Sequence, residues 1–277
     1  MESYRKAHYS LRHRVIASIS QRLDGLTYTQ RHGLIRGMKR QGGLGFLPAV
    51  LAGDRETAED AFLRSLDLSN RVVYEIGAFQ GLLTLFFSSR AREVIAWEPN
   101  PPSYARVMQN LQLNGRTNVR VRHVAVGREP GTLTLLSDPL MPGGTSGDPT
   151  VASQIQASSA VRAVDVPVVT IDGEIATAAL PPPDLVKIDI EGMELPALEG
   201  MARTIDAHHP DLYLEMHGAT MAHKEAAVAA IVAFLEAHHY ERILHVESGA
   251  RISSANARVA REGHLFASSH EKEDTPC

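Results

Sequence analysis

The stretch VVYEIGAFQG, Val72 to Gly81, decides the fold predicted for this chain. It begins as an apolar run, meets the acid Glu75, and then carries Gly77 and Gly81 directly before the apolar segment LLTLFFSS. A buried strand that ends in glycines and leads into a helix is typical of the first strand-to-helix turn of a doubly wound sheet, where ligands bind. Gly77 allows a tight turn, and Gly81 allows close packing of the helix on the strand.

Short apolar runs alternate with helical patterns from Val72 towards the C-terminus. Predicted strands are VVYEI, EVIAWEPN, NVRVRHVAVG, PDLVKIDIEG, PDLYLEMHG, RILHVES and GHLFASS, with GTLTLLS and VDVPVVTID as a hairpin-like pair. Predicted helices are PPSYARVMQNLQLNG, ELPALEGMARTI and KEAAVAAIVAFLEAHHY. This alternation predicts an α/β fold, a doubly wound and mostly parallel sheet with helices on both faces.

Two segments stand apart from this pattern. Residues 1–66 are predicted to be a helical, amphipathic N-terminal extension, interrupted by the loop RQGGLGFLP, and residues 67–277 form the main domain. The segment 137–163 is rich in Gly, Pro, Ser and Thr, and long loops of this kind are often functional. We expect both segments to cover the ligand site, with a surface insertion as the alternative for the loop.

Composition excludes several classes of protein. A net charge of -4 over 277 residues gives no support for a nucleic-acid partner. The single cysteine, Cys277, cannot build a disulfide framework or a thiolate metal site. Neither a signal-peptide pattern nor an apolar run long enough for a transmembrane segment is visible, so the expected location is cytoplasmic.

The residues around the turn distinguish two classes of cofactor. A dinucleotide turn needs the middle glycine of G-x-G-x-x-G, but Ala78 and Phe79 follow Gly77. Glu75 would repel a pyrophosphate, whereas it suits an amino-acid ammonium, directly or through water. Glu98 ends the second strand about 20 residues after Gly77, where a carboxylate can accept both ribose hydroxyl protons. These features favour S-adenosylmethionine.

The third strand completes the predicted cofactor site. Val124 and Ala125 lie at its end, where backbone and apolar contacts with an adenine ring are expected. The full predicted set is Glu75, Gly77, Ala78, Gly81, Glu98, Val124 and Ala125.

Several of these motifs together resemble one known family. EIGAFQG, AWEPNPPSYARVMQNLQLN, VAVG, GTLTL, VPVVTID and PDLVKIDIEGMELPALEG, in this order, are similar to the FkbM-family methyltransferases. The resemblance covers roughly Ala61 to Ser268. It implies the Rossmann-like class I methyltransferase fold with a seven-stranded sheet, and methylation of hydroxyls on natural products and saccharides with S-adenosylmethionine. It also implies that VKIDIEG and DLYLEMH are neighbouring strands whose C-terminal ends meet the cofactor.

The chain departs from the family in its first motif. The family often has Asp and Asn where this sequence has Glu75 and Phe79. Glu keeps the charge, but no polar contact can be carried over to Phe79.

Two pairs of residues are candidates for catalysis. Asp189 and Glu191 follow one strand, Glu215 and His217 the next, and each pair shares a strand face. Methyl transfer to oxygen needs an aligned acceptor and removal of a proton. His217 is the predicted general base because an unperturbed imidazole can be neutral at pH 7. Asp189 is a second candidate base or a cofactor contact, and Glu191 or Glu215 could orient His217.

Other roles stay open for the same residues. Glu191 could cap the following helix, and Glu215 could pair with Lys187 across neighbouring strands. The four candidates are also oxygen and imidazole donors suited to Mg²⁺ or Mn²⁺, although no spacing demands a metal and none is expected.

The sequence therefore predicts an S-adenosylmethionine-dependent methyltransferase that acts on a hydroxyl. The expected partner is a small-molecule, sugar or glycan acceptor; the acceptor's identity and the oligomeric state are not predicted. The alternatives are a nicotinamide-dependent oxidoreductase and a non-catalytic binding protein that kept the fold.

Overall fold

A computed structural model describes residues 19, 22–42, 56–137, 145–146 and 162–269. Large parts of the predicted N-terminal extension and of the 137–163 loop lie outside these residues, so their predicted role in covering the site is not tested. Among the described residues, no helix has the length and apolar character needed to cross a membrane.

The regular elements follow the predicted alternation. The strands are β1 (Thr27–Thr29), β2 (Lys39–Gln41), β3 (Val72–Ile76), β4 (Glu93–Trp97), β5 (Val119–Arg122), β6 (Ala125–Val126), β7 (Gly131–Ser137), β8 (Thr145–Ser146), β9 (Arg162–Val169), β10 (Leu185–Ile188), β11 (Asp211–Glu215), β12 (Arg242–His245), β13 (Ala250–Arg251) and β14 (His264–Ser268). The helices are α1 (Ala58–Ser65), α2 (Leu82–Ser88), α3 (Pro101–Leu113), α4 (Ile171–Ala178), α5 (Glu194–Glu199), α6 (Ala202–His208) and α7 (Met221–Ala237), with a 3₁₀ turn at Ala257–Ala260.

The main sheet has eight strands in the order β13-β12-β14-β11-β10-β3-β4-β5. The five strands from β11 to β5 are parallel, and β14 runs antiparallel to both of its neighbours. This confirms the doubly wound, mostly parallel sheet, and the two-residue edge strand β13 adds an eighth strand to the seven that were predicted. The chain moves outward from β3 in both directions, so the C-terminal end of β3 is the switch point at which such sheets bind ligands.

The core lies on both faces of this sheet. Every residue of β3 is buried, and successive side chains point to opposite faces. Tyr74 packs edge-on against Trp97 in the apolar cluster on one face. Val73 belongs to the cluster on the other face, together with Leu85 and Phe87 of α2. The unbroken apolar pattern of the predicted strand is therefore explained by burial on two sides.

A second, four-stranded sheet in the order β6-β9-β7-β8 lies beside the first. The predicted pairing of β7 with β9 is confirmed, and it is antiparallel. The predicted strand NVRVRHVAVG is divided: β5 belongs to the main sheet and β6 to the second sheet. The predicted helix ELPALEGMARTI is also divided at Gly200, where an added Cβ would lie 2.0 Å from the carbonyl oxygen of Gly127. That close approach of two backbones requires glycine.

The helical prediction for the N-terminal segment is wrong for residues 27–41. These residues form an antiparallel hairpin, β1 with β2, because Gly33 and Gly37 adopt positive φ and end any helical run. The hairpin packs on α3: the backbone N–H of Lys39 donates to Asn114 Oδ1 (2.8 Å) and that of Gln41 to Asn110 Oδ1 (2.8 Å). The segment AFLRSL is helical, in α1, as predicted.

Candidate active site

The turn after β3 is held in a conformation that requires glycine. Gly77 has φ +87°, and an added Cβ would lie 1.9 Å from the carbonyl oxygen of Asp189. Its N–H and that of Ala78 both donate to the Trp97 carbonyl, at 3.0 and 3.1 Å. Gly81, with φ +77°, begins α2 and lies against Val107 of α3. The turn is thus tied to β4 and pressed against the end of β10.

Glu98 closes the opposite side of this turn. Its Oε2 accepts the N–H of Phe79 at 2.6 Å, and its Oε1 accepts the N–H of Asn100 at 2.8 Å. Each carboxylate oxygen has a second lone pair, so acceptor capacity is left for a ligand. Burial raises the pKa of Glu98 to about 7, although these two N–H groups oppose the shift. Glu98 is therefore fixed in place before any ligand binds.

A cleft of about 830 Å³, including its open mouth, lies at the end of β3 and reaches from the glycine turn to the second sheet. Four predicted cofactor residues, Gly77, Glu98, Val124 and Ala125, line it, as do Asp189 and Glu191. The complete lining is Ile76, Gly77, Phe79, Trp97, Glu98, Pro99, Ser103, Val124, Ala125, Val126, Leu133, Leu135, Asp189, Ile190, Glu191 and Met193.

Leu133 and Leu135 were missed as functional candidates. Both belong to β7 of the second sheet, which thereby forms an apolar wall of the cleft. The alternation in GTLTLLS indicates a strand with one apolar face, but it does not indicate what that face covers.

Three predicted cofactor residues lie outside the lining: Glu75, Ala78 and Gly81. Glu75 is fully buried beneath the turn, and its Oε2 accepts a hydrogen bond from Thr84 Oγ1 at 2.6 Å. Burial raises its pKa to about 7, and the charge of Lys187 offsets part of the shift. In this geometry Glu75 supports the turn from below, and its predicted contact with the cofactor stays a prediction.

Lys187 joins the turn to the candidate catalytic residues. Its buried Nζ donates to the carbonyl oxygen of Gly77 at 2.7 Å and to Asp189 Oδ2 at 3.1 Å. Burial lowers the pKa of Lys187, but the charges of Asp189 and Glu75 outweigh burial and raise it above its usual value. Lys187 thus pairs with Asp189 rather than with Glu215, the partner considered from the sequence.

The four predicted catalytic residues meet around one imidazole. His217 Nε2 lies 3.7 Å from Asp189 Oδ1, 3.7 Å from Glu191 Oε2 and 3.6 Å from Glu215 Oε1. The parallel register of β10 and β11 explains this, because both pairs follow the C-terminal ends of neighbouring strands. Asp189 and Glu191 line the cleft, whereas Glu215 and His217 are not among its lining residues.

A fifth residue, Glu194, was missed by sequence reasoning. The residue is 2% exposed, and its Oε1 lies 3.0 Å from His217 Nδ1. The same oxygen accepts the N–H groups of Gly192 (3.0 Å) and Ile190 (3.3 Å). Glu194, not Glu191, is the acid in the first turn of α5, whose N-cap residue Met193 makes no side-chain capping bond among the described residues. An acid three residues after Glu191, at the start of a helix, was the available signal.

The ionisable groups of this cluster have pKa values shifted from their ordinary ones. Burial alone would lower the pKa of His217, but the hydrogen bond and charge of Glu194 and the charges of Glu191 and Asp189 raise it to about 9. The imidazole is then protonated at neutral pH, so in this state it cannot act as the predicted general base. Burial raises the pKa of Glu191 to about 7 and also raises that of Glu215. The pKa of Asp189 is lowered, because Lys187 and His217 outweigh burial.

Comparison with known proteins gives two relatives at low identity. Hexuronic acid methyltransferase AglP of Haloferax volcanii is 26% identical over 138 residues, 49% of this chain and 52% of that protein. Methyltransferase 1 of Beauveria bassiana is 27% identical over 157 residues, 50% of this chain and 60% of that protein. The chain thus spans about half to three-fifths of the length of these relatives.

The fold comparison gives a similar protein. Methyltransferase FkbM from Methylobacillus flagellatus aligns with a TM-score of 0.48 and 18% identity over 77% of this chain and 48% of that one. The methyltransferase FkbM domain matches residues 75–242, more than half of the chain. This match includes the glycine turn, Glu98 and the cluster around His217. The chain therefore belongs to the FkbM methyltransferase family.

Proposed function

We propose that this protein transfers a methyl group from S-adenosylmethionine to a hydroxyl of a sugar, glycan or natural product. One observation carries the proposal. The Gly77 turn and the Asp189 carboxylate line the same cleft as Glu98, so a nucleoside site and an acceptor for a proton lie within one pocket. Family membership supports the same reaction.

The described residues fit S-adenosylmethionine. Gly77 lets the turn lie directly against the end of β10 beside the cleft, and Glu98 has acceptor capacity for ribose hydroxyls. Val124, Leu133 and Leu135 offer apolar surface to an adenine ring. When bound, the cofactor would supply an activated methyl group on a sulfonium.

The chain itself has to hold the acceptor and receive a proton. As the oxygen gains the methyl group, the hydroxyl proton must pass to a nearby base. Asp189 lines the cleft beside Gly77, Lys187 donates to its Oδ2, and His217 Nε2 lies 3.7 Å from its Oδ1. We therefore place Asp189 next to the acceptor and assign His217 to orienting the carboxylates.

The acceptor class is supported by one relative. Its name describes a methyltransferase that acts on hexuronic acids, although only about half of its length matches this chain. A sugar or sugar acid is therefore the first acceptor to test. The oxidoreductase alternative gains no support, because the position of the middle glycine is occupied by Phe79, which lines the cleft.

The test is methyl transfer with S-adenosylmethionine and matched acceptors: a hexuronic acid, the corresponding neutral hexose and an amino sugar. We expect S-adenosylhomocysteine together with a product that is heavier by one methylene and whose fragmentation places the methyl on oxygen. Asp189→Asn should lower the rate by about 100-fold or more, the usual scale of acid–base catalysis. The exposed Glu262→Gln is the control. Transfer to nitrogen, or full activity of Asp189→Asn, would contradict the proposal.

A further inference from the structure

We propose that Asp189, Glu215 and His217 bind a divalent cation, Mn²⁺ or Mg²⁺, at the acceptor side of the cleft. Each residue offers one ligand atom, and these atoms all lie within 4.8 Å of one another. Two carboxylates and an imidazole form a mixed oxygen and nitrogen set that suits Mn²⁺ in particular. Cation binding can be measured alone, whereas its consequence for the acceptor rests on the proposed function; with the ion bound, Asp189 would be a ligand instead of the base assigned to it above.

The direction of the imidazole is the first argument. His217 Nδ1 is engaged by the buried Glu194, whose Oε1 is itself fixed by the N–H groups of Gly192 and Ile190. A cation that displaces the proton from Nε2 would leave the proton on Nδ1, and the Nε2 lone pair would then point at the ion between the carboxylates. Histidines that bind metals almost always give their other ring nitrogen to a carboxylate, carbonyl or water in this way. The cluster therefore contains an imidazole nitrogen whose direction is fixed by Glu194, in addition to its carboxylates.

The spacing of the ligand atoms is the second argument. Nε2 lies 3.7 Å from Asp189 Oδ1 and 3.6 Å from Glu215 Oε1, beyond the roughly 2.7–3.2 Å of a hydrogen bond. A cation with bonds of about 2.1 Å holds neighbouring ligand atoms about 3 Å apart. A small inward movement of these side chains would therefore bring all three onto one ion.

Charge is the third argument. Lys187 bonds to Asp189 Oδ2 and leaves Oδ1 facing His217. Glu191 brings a further oxygen to 3.7 Å from Nε2. With Glu194 and Glu215, the cluster has four carboxylates against two positive groups, Lys187 and the protonated His217, and unpaired charge is costly in a site partly shielded from water. A divalent cation would neutralise this excess of negative charge.

The position indicates what the cation would do. Asp189 and Glu191 also line the cleft next to Gly77, so the ion would face the acceptor. A cation held by the protein on one side has coordination positions left for oxygen ligands. We therefore expect acceptors with two adjacent oxygen donors, a vicinal diol or a hydroxy acid.

The experiment titrates the full chain, stripped with chelator and dialysed, with MnCl₂ alone and follows free Mn²⁺ by electron paramagnetic resonance. We expect one Mn²⁺ per chain, displaced by excess Mg²⁺. Glu215→Gln and His217→Gln should each weaken binding at least tenfold, while Glu262→Gln, an exposed acid paired with Lys224, should bind as the wild type does. Glu194→Gln should weaken binding about tenfold, the lower end of effects seen for partners behind a ligand.

Thermal melting with and without Mn²⁺ is the second readout. A stabilisation by Mn²⁺ in the wild type that is absent from folded Glu215→Gln supports the site. No loss of free Mn²⁺ at millimolar concentration, or equal binding by the wild type and both ligand variants, overturns it. S-adenosylmethionine is titrated in parallel without metal: cofactor binding without Mn²⁺ binding overturns the cation site alone, and the reverse overturns only the proposed function.

Discussion

The two halves of the cleft are built in different ways. The cofactor half is formed by backbone and apolar side chains: the Gly77 turn, the ends of β4 and β5, and the wall from β7. Its one carboxylate at the surface of the cleft, Glu98, is held by two backbone N–H groups. The acceptor half is formed by charged side chains, with three carboxylates around His217 Nε2 and a fourth on Nδ1.

This difference indicates how each half depends on its ligand. The shape of the cofactor half is set by the turn and by the two hydrogen bonds to Glu98, and among its polar atoms Glu75 Oε1 and Trp97 Nε1 are buried without a hydrogen-bond partner in the described part of the chain. The acceptor half carries like charges at close range, which favours the binding of something positive or the uptake of protons. Shape should therefore govern the first ligand, and charge the second.

The largest expected effect comes from breaking the turn. Gly77→Ala places a Cβ 1.9 Å from the Asp189 carbonyl at φ +87°, so either the turn or β10 must move. We expect loss of at least 100-fold in affinity for S-adenosylmethionine and a clear drop in the melting temperature, measured by calorimetric titration and thermal unfolding.

Gly115→Ala is the matched control. Gly115 also has positive φ, +59°, but nothing lies within 4 Å of an added Cβ. That variant should lose only about 1–2 kcal/mol, the cost of alanine in the left-handed region, and keep its cofactor affinity. Equal effects of both substitutions would mean that the backbone contact between the two halves is unimportant.

A smaller effect is expected at Glu75, the buried charge of the cofactor half. Its pKa in the folded protein is about 7, above the ordinary 4.5, so its contribution to stability is present below pH 4.5 and is lost as pH rises through 7. The Glu75→Gln side chain cannot ionise, so its contribution to stability does not fall as the pH rises. Its amide oxygen can still accept the hydrogen bond from Thr84 Oγ1. We expect it to melt near the wild type at pH 5 and several degrees higher at pH 8, a gain of at most about 3 kcal/mol.

Glu93→Gln is the comparison for that prediction, since Glu93 lies on the neighbouring strand with a partly exposed carboxylate. Its melting temperature relative to the wild type should differ little between pH 5 and pH 8. A gain for Glu75→Gln that is the same at both pH values would assign the effect to packing instead of ionisation.

The cofactor half was largely predictable from sequence because its determinants are local. A glycine turn after a buried strand, and an acid at the end of the next strand, predict Gly77 and Glu98 directly. The resemblance to the FkbM family implied that Asp189, Glu191, Glu215 and His217 lie at one edge of the sheet, because it made their two strands neighbours, as the structure has them. Hydrophobic periodicity and the residues at strand ends were therefore enough to predict most of the strands and helices.

The features of the site and the fold that were not predicted depend on tertiary contacts. Glu194 is recognisable as the partner of His217 only once Glu191 is seen at φ +53°, which turns the chain and brings a helix start under the imidazole. The direction of Glu75, away from the cleft, depends on Thr84 in the next helix. The N-terminal hairpin needed its docking surface on α3, because short strands are not stable alone.

The most direct test of the account is calorimetric titration of the wild type and Glu98→Gln with S-adenosylmethionine and NADH at pH 8 and pH 6, with fluorescence of Trp97, which lines the cleft, as a second signal. S-adenosylmethionine should bind and NADH should not. Affinity should be about tenfold lower at pH 6, because a carboxyl with a pKa of about 7 is then mostly protonated, while Glu98→Gln should bind weakly at both pH values. Tight NADH binding, or failure of S-adenosylmethionine to bind at pH 8, would contradict it.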